Sequence, residues 1–335
     1  MNANSFSVER LAGQRLMVGF EGTRFNKDLE YLIDDLKVGG IILFAGNLIN
    51  PGQIKSLCKN IQDYAKACDQ PPLFIAIDQE GGTVARLKDP FAQFPGNSKM
   101  GGAEDAVAFA ETTARDLNQI GVNMNMAPVL DVVPKNFAGV MAERSFGHDP
   151  EEVAMLGMTV IKHLQKNKIM SVAKHFPGIG RTILDSHLEL PDLDTEPFQL
   201  LSSDLIPFKA AVKQGVAGMM LSHIRYLRID PDWPASLSSV VVRKILRSRM
   251  GYNKVVITDD LDMGAIKKHY NLATVIHQIL AADVDIALIC HKGPDTAGAY
   301  QLILNNIKNN AELKSGCFVS VDRILALKQN YIRVT

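Results

Sequence analysis

The sequence predicts an α/β protein, a single (β/α)8 TIM-type barrel spanning residues 1–335, and three observations predict it. Eight short apolar runs recur along the chain, helical patterns separate them, and ionisable residues gather just past the C-terminal ends of the runs. An open doubly wound sheet more often has five or six strands and a Gly-x-Gly-x-x-Gly turn, which this chain lacks.

The runs are Leu16 to Phe20, Gly40 to Phe44, Leu73 to Ile77, Val122 to Met126, Met170 to Ala173, Gly218 to Leu221, Val255 to Ile257 and Asp285 to Ile289. Their near-continuous hydrophobicity suits parallel strands covered on both faces. Between the first two, Leu29, Leu32, Ile33 and Leu36 follow helical spacing and stop at Gly39-Gly40. Asn50-Pro51 supplies a cap and first position for a helix with an inward stripe of Ile54, Leu57, Cys58 and Ile61. Asp149-Pro150 repeats the device before Val153, Leu156, Val160 and Leu164. Segments 104–120, 198–214, 238–249, 271–282 and 296–309 are helix-compatible, and a last helix over Val321 to Ile332 closes the chain.

Composition narrows the partners. Thirty-six basic residues balance thirty-six acidic ones, which argues against a nucleic-acid or anionic-membrane surface. Four scattered cysteines form no Cys-x-x-Cys pair, so they suit reduced thiols and offer no metal cage. No basic start precedes an apolar segment, and no apolar run approaches the roughly 20 residues of a membrane span, so a cytoplasmic location is expected.

Chemistry concentrates where strands end, as it does in barrels of this type. Asp78-Gln-Glu-Gly-Gly82 and Arg86 follow the third run, Asp131 and then Arg144 the fourth, Lys174-His175 the fifth, Ser222-His223 the sixth, and Thr258-Asp259-Asp260 the seventh. Asp259 is either a helix cap or a catalytic carboxylate; the doublet lets Asp260 cap and leaves Asp259 free. Asp78 and Arg144 could instead form an ion pair across the rim. His223 reads equally as a satisfied core histidine or a substrate contact. Asp185-Ser-His187, taken as extended, puts carboxylate and imidazole on one side, so Asp185 can hold one ring nitrogen and leave the other facing a pocket. Gly178 and Gly180 would give that loop freedom to close.

These residues resemble glycoside hydrolase family 3, specifically the single-domain β-N-acetylhexosaminidases of cytoplasmic peptidoglycan recycling. The likeness rests on Ile77-Asp-Gln-Glu-Gly-Gly-x-Val-x-Arg-Leu87, Met126-Ala-Pro-Val-Leu-Asp-Val132, Arg144-Ser-Phe-Gly147, Lys174-His-Phe-Pro-Gly-x-Gly180, Asp185-Ser-His187 and Thr258-Asp-Asp-Leu-x-Met263. The resemblance implies Asp259 as nucleophile, and Asp185 with His187 as a dyad whose histidine is the general acid/base. It further implies Asp78, Arg86, Arg144, Lys174 and His175 as ligands of an N-acetylglucosamine ring.

By this likeness the reaction needs no metal or organic cofactor, and the partner is a small carbohydrate or muropeptide bearing non-reducing N-acetylglucosamine. Larger relatives are expected to draw their acid from a following domain. Here the chain runs only to Thr335, so the donor is expected from the barrel. Ile179 stands where the family usually places a second histidine, which bears on the shape of the dyad loop. Three rivals stay open: a phosphorylase sharing every motif, a metallohydrolase using His175, His223 and Asp259, and a non-catalytic sugar-binding barrel.

Overall fold

The structure, a computed structural model, describes residues 2–332. All eight runs become parallel strands of one closed barrel. They are β1 (Leu16–Val18), β2 (Gly40–Leu43), β3 (Phe74–Ile77), β4 (Met124–Asn125), β5 (Met170–Phe176), β6 (Gly218–Leu221), β7 (Val255–Asp260) and β8 (Ile286–Ile289). Each pairs with its neighbours in sequence, and β8 returns to β1 with Ala287 opposite Leu16.

Alternate residues of each strand face opposite ways, and both faces are buried. Phe74 and Ala76 point into the barrel with Met17, Ile42, Met124, Met170 and Leu288, whereas Ile75 and Ile77 meet the surrounding helices. That is why the runs are continuous rather than alternating.

The helices start where the sequence placed their caps. The Asn50 side chain accepts the Gln53 N–H at 2.9 Å and the Asp149 side chain accepts that of Glu151 at 2.9 Å, with Pro51 and Pro150 leading each helix. Two elements differ from the periodicity. A helix at Val8–Gln14, capped by Ser7, precedes β1, and the last helix begins ten residues earlier than its apolar stripe suggests, covering Ala311–Tyr331. That last helix buries Ile324 and Leu327 against the lower end of the barrel interior. Among the described residues, no helix is long and apolar enough to cross a membrane.

Two strands outrun their apolar portions. β5 continues through Lys174 and His175 to Phe176, and β7 continues through Asp259 to Asp260. Parallel pairing slips between Ala173 and Phe176 and again between Ile257 and Asp260. Such irregularities re-aim side chains, and these two fall on the residues that reach the upper rim.

Candidate active site

The floor of the site is an ion cluster joining β3, β5 and the segment after β4. Past β3, the Gly81-Gly82 turn has positive φ at both glycines (91° and 60°), which folds the chain back into a two-stranded hairpin. Gln79 and Asn125 lock its base, each side chain bonding the other's backbone or its surroundings: Gln79 N–H to Asn125 Oδ1 at 3.0 Å, Asn125 Nδ2 to Gln79 O at 3.0 Å, and Leu87 N–H to Gln79 Oε1 at 3.0 Å. The hairpin returns Arg86 to Asp78, with Nη2 3.4 Å from Oδ2.

Lys174 is 3% exposed and has two carboxylate partners, Asp78 Oδ1 at 2.7 Å and Glu80 Oε1 at 2.6 Å. Arg144 grips Glu80 with two parallel bonds, Nε to Oε2 at 2.9 Å and Nη2 to Oε1 at 2.7 Å. The anticipated Asp78–Arg144 pair is therefore replaced by Glu80–Arg144. Burial alone would push both acids up and Lys174 down. The mutual attraction of the cluster outweighs it, holding Asp78 and Glu80 below the usual carboxylate range and Lys174 above that of an ordinary amine.

Asp131 is fully buried and orients His175. Its carboxylate accepts His175 Nδ1–H at 2.8 Å and the Ile179 N–H at 2.8 Å. His175 therefore keeps Nε2 for the pocket that it lines. Ile179 packs its side chain into the core while its N–H serves Asp131. Gly178 and Gly180 are not hinges, contrary to the expectation. The chain is buried as far as Gly180, where a Cβ would lie 2.0 Å from the Val132 carbonyl oxygen, so glycine is needed there for close approach.

Asp259 is the penultimate residue of β7, and its carboxylate accepts the Asp260 N–H at 2.8 Å. Burial raises its carboxyl, but the facing imidazoles of His175 and His223, the Asp260 N–H and the Lys174 ammonium bring it below the usual range. Asp260 ties down the loop beyond β7 by accepting the N–H groups of Asp262 and Cys290, both at 3.0 Å, while the next helix starts at Gly264 with Met263 as its cap residue. His223 proves to be a satisfied core histidine: Nδ1 meets Ser236 Oγ at 2.7 Å and Nε2 donates to the Asp260 carbonyl at 2.9 Å. Burial keeps its pKa low. With both ring nitrogens engaged, the metal-ligand set of His175, His223 and Asp259 is not assembled. Among the described residues, Asp260, Asp262 and His291 approach one another closely enough to share a cation, but Lys267 already sits on Asp262 at 2.6 Å.

The dyad is present, with a different backbone from the extended one foreseen. Asp185 opens a turn, its carbonyl accepting the Leu188 N–H at 3.0 Å, and its carboxylate takes both the His187 N–H (2.9 Å) and His187 Nδ1 (2.7 Å). Turn geometry, not strand alternation, brings the two side chains together. His187 lines the same pocket as Asp78, Glu80, Arg86, Arg144, Lys174, His175 and Asp259.

Residues 7–327 match the profile of the glycosyl hydrolase family 3 N terminal domain. The chain belongs to glycosyl hydrolase family 3. It is 34% identical over 319 residues to β-hexosaminidase A of Pseudoalteromonas piscicida, an alignment covering 84% of this chain and 53% of that protein. It is also 34% identical over 285 residues to a β-hexosaminidase of Alkalilimnicola ehrlichii, covering 82% and 80%. The solved family 3 β-N-acetylglucosaminidase from Paenibacillus sp. str. FPU-7 superposes with a TM-score of 0.94 at 35% identity, over 99% of this chain and 65% of that one. The chain thus spans about half the length of the first relative and two thirds of that solved structure.

In this family 3 chain, sequence reasoning passed over two residues of the site. Glu80 stands two residues from Asp78, so in an extended hairpin both acids fall on one side, and that spacing could have revealed it. Asp131 was placed at the rim without a role; a carboxylate with no exposure at a strand end needs donors, and His175 and Ile179 provide them.

Proposed function

We propose that the chain is a retaining β-N-acetylglucosaminidase whose single barrel carries the whole reaction. The observation that supports this reading is that Asp259 and His187, delivered by unrelated segments, line one pocket floored by the Asp78–Glu80–Lys174–Arg144 cluster. A retaining glycosidase needs a nucleophile on one side of the anomeric carbon and a proton donor beside the leaving oxygen.

In the first step a carboxylate oxygen of Asp259 bonds to the anomeric carbon as the glycosidic C–O bond breaks, and the leaving oxygen takes the proton from His187 Nε2. Asp185 holds Nδ1 throughout. In the second step His187 Nε2 accepts a proton from water, whose oxygen bonds to the anomeric carbon and frees Asp259. The carboxylate of Asp259, kept below its usual pKa, is ready to attack at neutral pH. Asp78, Arg86, Arg144, Lys174 and His175 hold the sugar hydroxyls, with Glu80 fixing the two cations. The substrate is a small carbohydrate or muropeptide with non-reducing N-acetylglucosamine, handled in the cytoplasm.

The test is hydrolysis of an aryl β-N-acetylglucosaminide by wild type, Asp259→Ala and His187→Ala, with the released sugar identified. Near-total loss in Asp259→Ala is expected. His187→Ala should retain much of its kcat/KM on an activated aryl group, which needs little protonation. Undiminished turnover by Asp259→Ala would overturn the assignment, and sugar phosphate as product would make the enzyme a phosphorylase.

A further inference from the structure

The dyad loop is exposed and has few anchors. Ile183, Leu184 and Leu188 are 70%, 54% and 64% exposed, so apolar burial does little to hold it. Apart from the neighbouring Thr182 hydroxyl, which donates to the Leu184 carbonyl at 3.1 Å, every hydrogen bond and ion pair that residues 183–189 make beyond their own segment, among the described residues, goes to one partner, the helical stretch that follows β7. Gly264 N–H donates to the His187 carbonyl at 2.9 Å, Ala265 N–H donates to the Ser186 carbonyl at 3.1 Å, and Glu189 receives Lys268 at 2.6 Å with His269 3.6 Å away. The stretch starts four residues after Asp260, with the Asp260 carboxylate fastening the intervening loop. The proton donor is thus docked on the continuation of the strand that carries the nucleophile.

Docking depends on residue 264 having no side chain. A Cβ at Gly264 would lie 2.5 Å from the Leu188 carbonyl oxygen and 2.8 Å from that of His187, closer than such contacts occur. Both atoms belong to the exposed loop, so the strain is relieved by moving the loop rather than the barrel. Alanine is otherwise the better helix former, and helix propensity alone predicts no loss of fold.

We propose that Gly264 is a positioning residue, a latch through which the start of this helix sets His187 against the leaving-group side of the pocket. This rests on the reading of His187 as general acid. Its consequence is specific to protonation: loosening the latch slows cleavage of bonds whose leaving oxygen needs a proton and spares those that do not.

The experiment compares wild type with Gly264→Ala and Glu189→Ala on two substrates, di-N-acetylchitobiose and 2,4-dinitrophenyl β-N-acetylglucosaminide, reading kcat/KM, which reports events through the first bond cleavage. It adds hydrogen–deuterium exchange of the peptide covering 183–189. For Gly264→Ala, kcat/KM on the disaccharide should fall roughly tenfold or more, since general acid catalysis is typically worth about a hundredfold or more. On the dinitrophenyl glycoside it should stay within about twofold. Exchange at 183–189 should rise while the barrel strands keep their protection. Glu189→Ala, which cannot collide with anything, should show the same pattern more weakly. Equal losses on both substrates, or unchanged exchange at 183–189, would overturn the latch. If wild type cleaves neither substrate, the glycosidase reading fails, and the exchange comparison still decides whether Gly264 holds the loop.

Discussion

Lys328 offers a quantitative test of how the closed end of the barrel is built. Lys328 is 1% exposed; its amine donates to Gln14 Oε1 at 2.7 Å, lies 5.0 Å from the centre of the Phe74 ring and, among the described residues, has no carboxylate partner. Burial lowers its pKa from 10.5 to about 7. At about 1.4 kcal/mol per pH unit of difference, keeping this amine inside the fold costs on the order of 4 kcal/mol at pH 7. The sign follows from proton counting. Between pH 7 and 10.5 the unfolded chain holds a proton that the folded chain lacks, so this group makes stability rise with pH across that window and contributes no slope below it. Lys328→Met removes the cost but leaves Gln14 Oε1 without its donor, a penalty of about 1–2 kcal/mol. The variant should therefore be more stable than wild type by about 2 kcal/mol at pH 7, with the advantage vanishing and then reversing by about pH 10. Urea unfolding of both proteins at several pH values from 6.5 to 10 measures this. A difference that stays constant with pH, or a variant that is weaker at pH 7, would refute the reasoning.

Two further perturbations probe the site. Glu80→Gln leaves Lys174 and Arg144 facing each other without the acid between them and should cost roughly 3 kcal/mol in urea unfolding at pH 7. Because the Glu80 carboxyl is held below 4.5, its stabilisation is complete above that value and fades as pH falls through its lower folded value, so wild type and variant should converge in acid. Asp131→Ala strands the buried donors at His175 Nδ1 and Ile179 N; unfolding should show a loss of about 3 kcal/mol, accompanied by a raised KM as His175 loses its fixed orientation.

The barrel was legible because parallel strands buried on both faces leave unbroken apolar runs, and the surrounding helices announce themselves at Asn50-Pro51 and Asp149-Pro150. The rim residues were legible because a charged side chain directly after such a run has nowhere to go except the barrel mouth. Which acid meets which base was not. Arg144 lies 64 positions from Glu80, and its choice of Glu80 over Asp78 is decided by the hairpin that Gly81 and Gly82 fold. Gly178 and Gly180 were read as giving freedom when Gly180 serves close packing; one letter covers both uses, and only the nearby Val132 carbonyl distinguishes them. Asp185 and His187 were paired correctly on the wrong backbone, since a turn and an extended segment can both bring residues two apart together.

Asp259 is welded into the sheet, whereas His187 rides on a strap secured chiefly at one place. Warming or mild denaturant should release the strap long before the cylinder of strands gives way. On the mechanism proposed above, the two halves of the reaction would then age at different rates, the ability to eject a reluctant alcohol fading first and the capacity to form a glycosyl ester outlasting it.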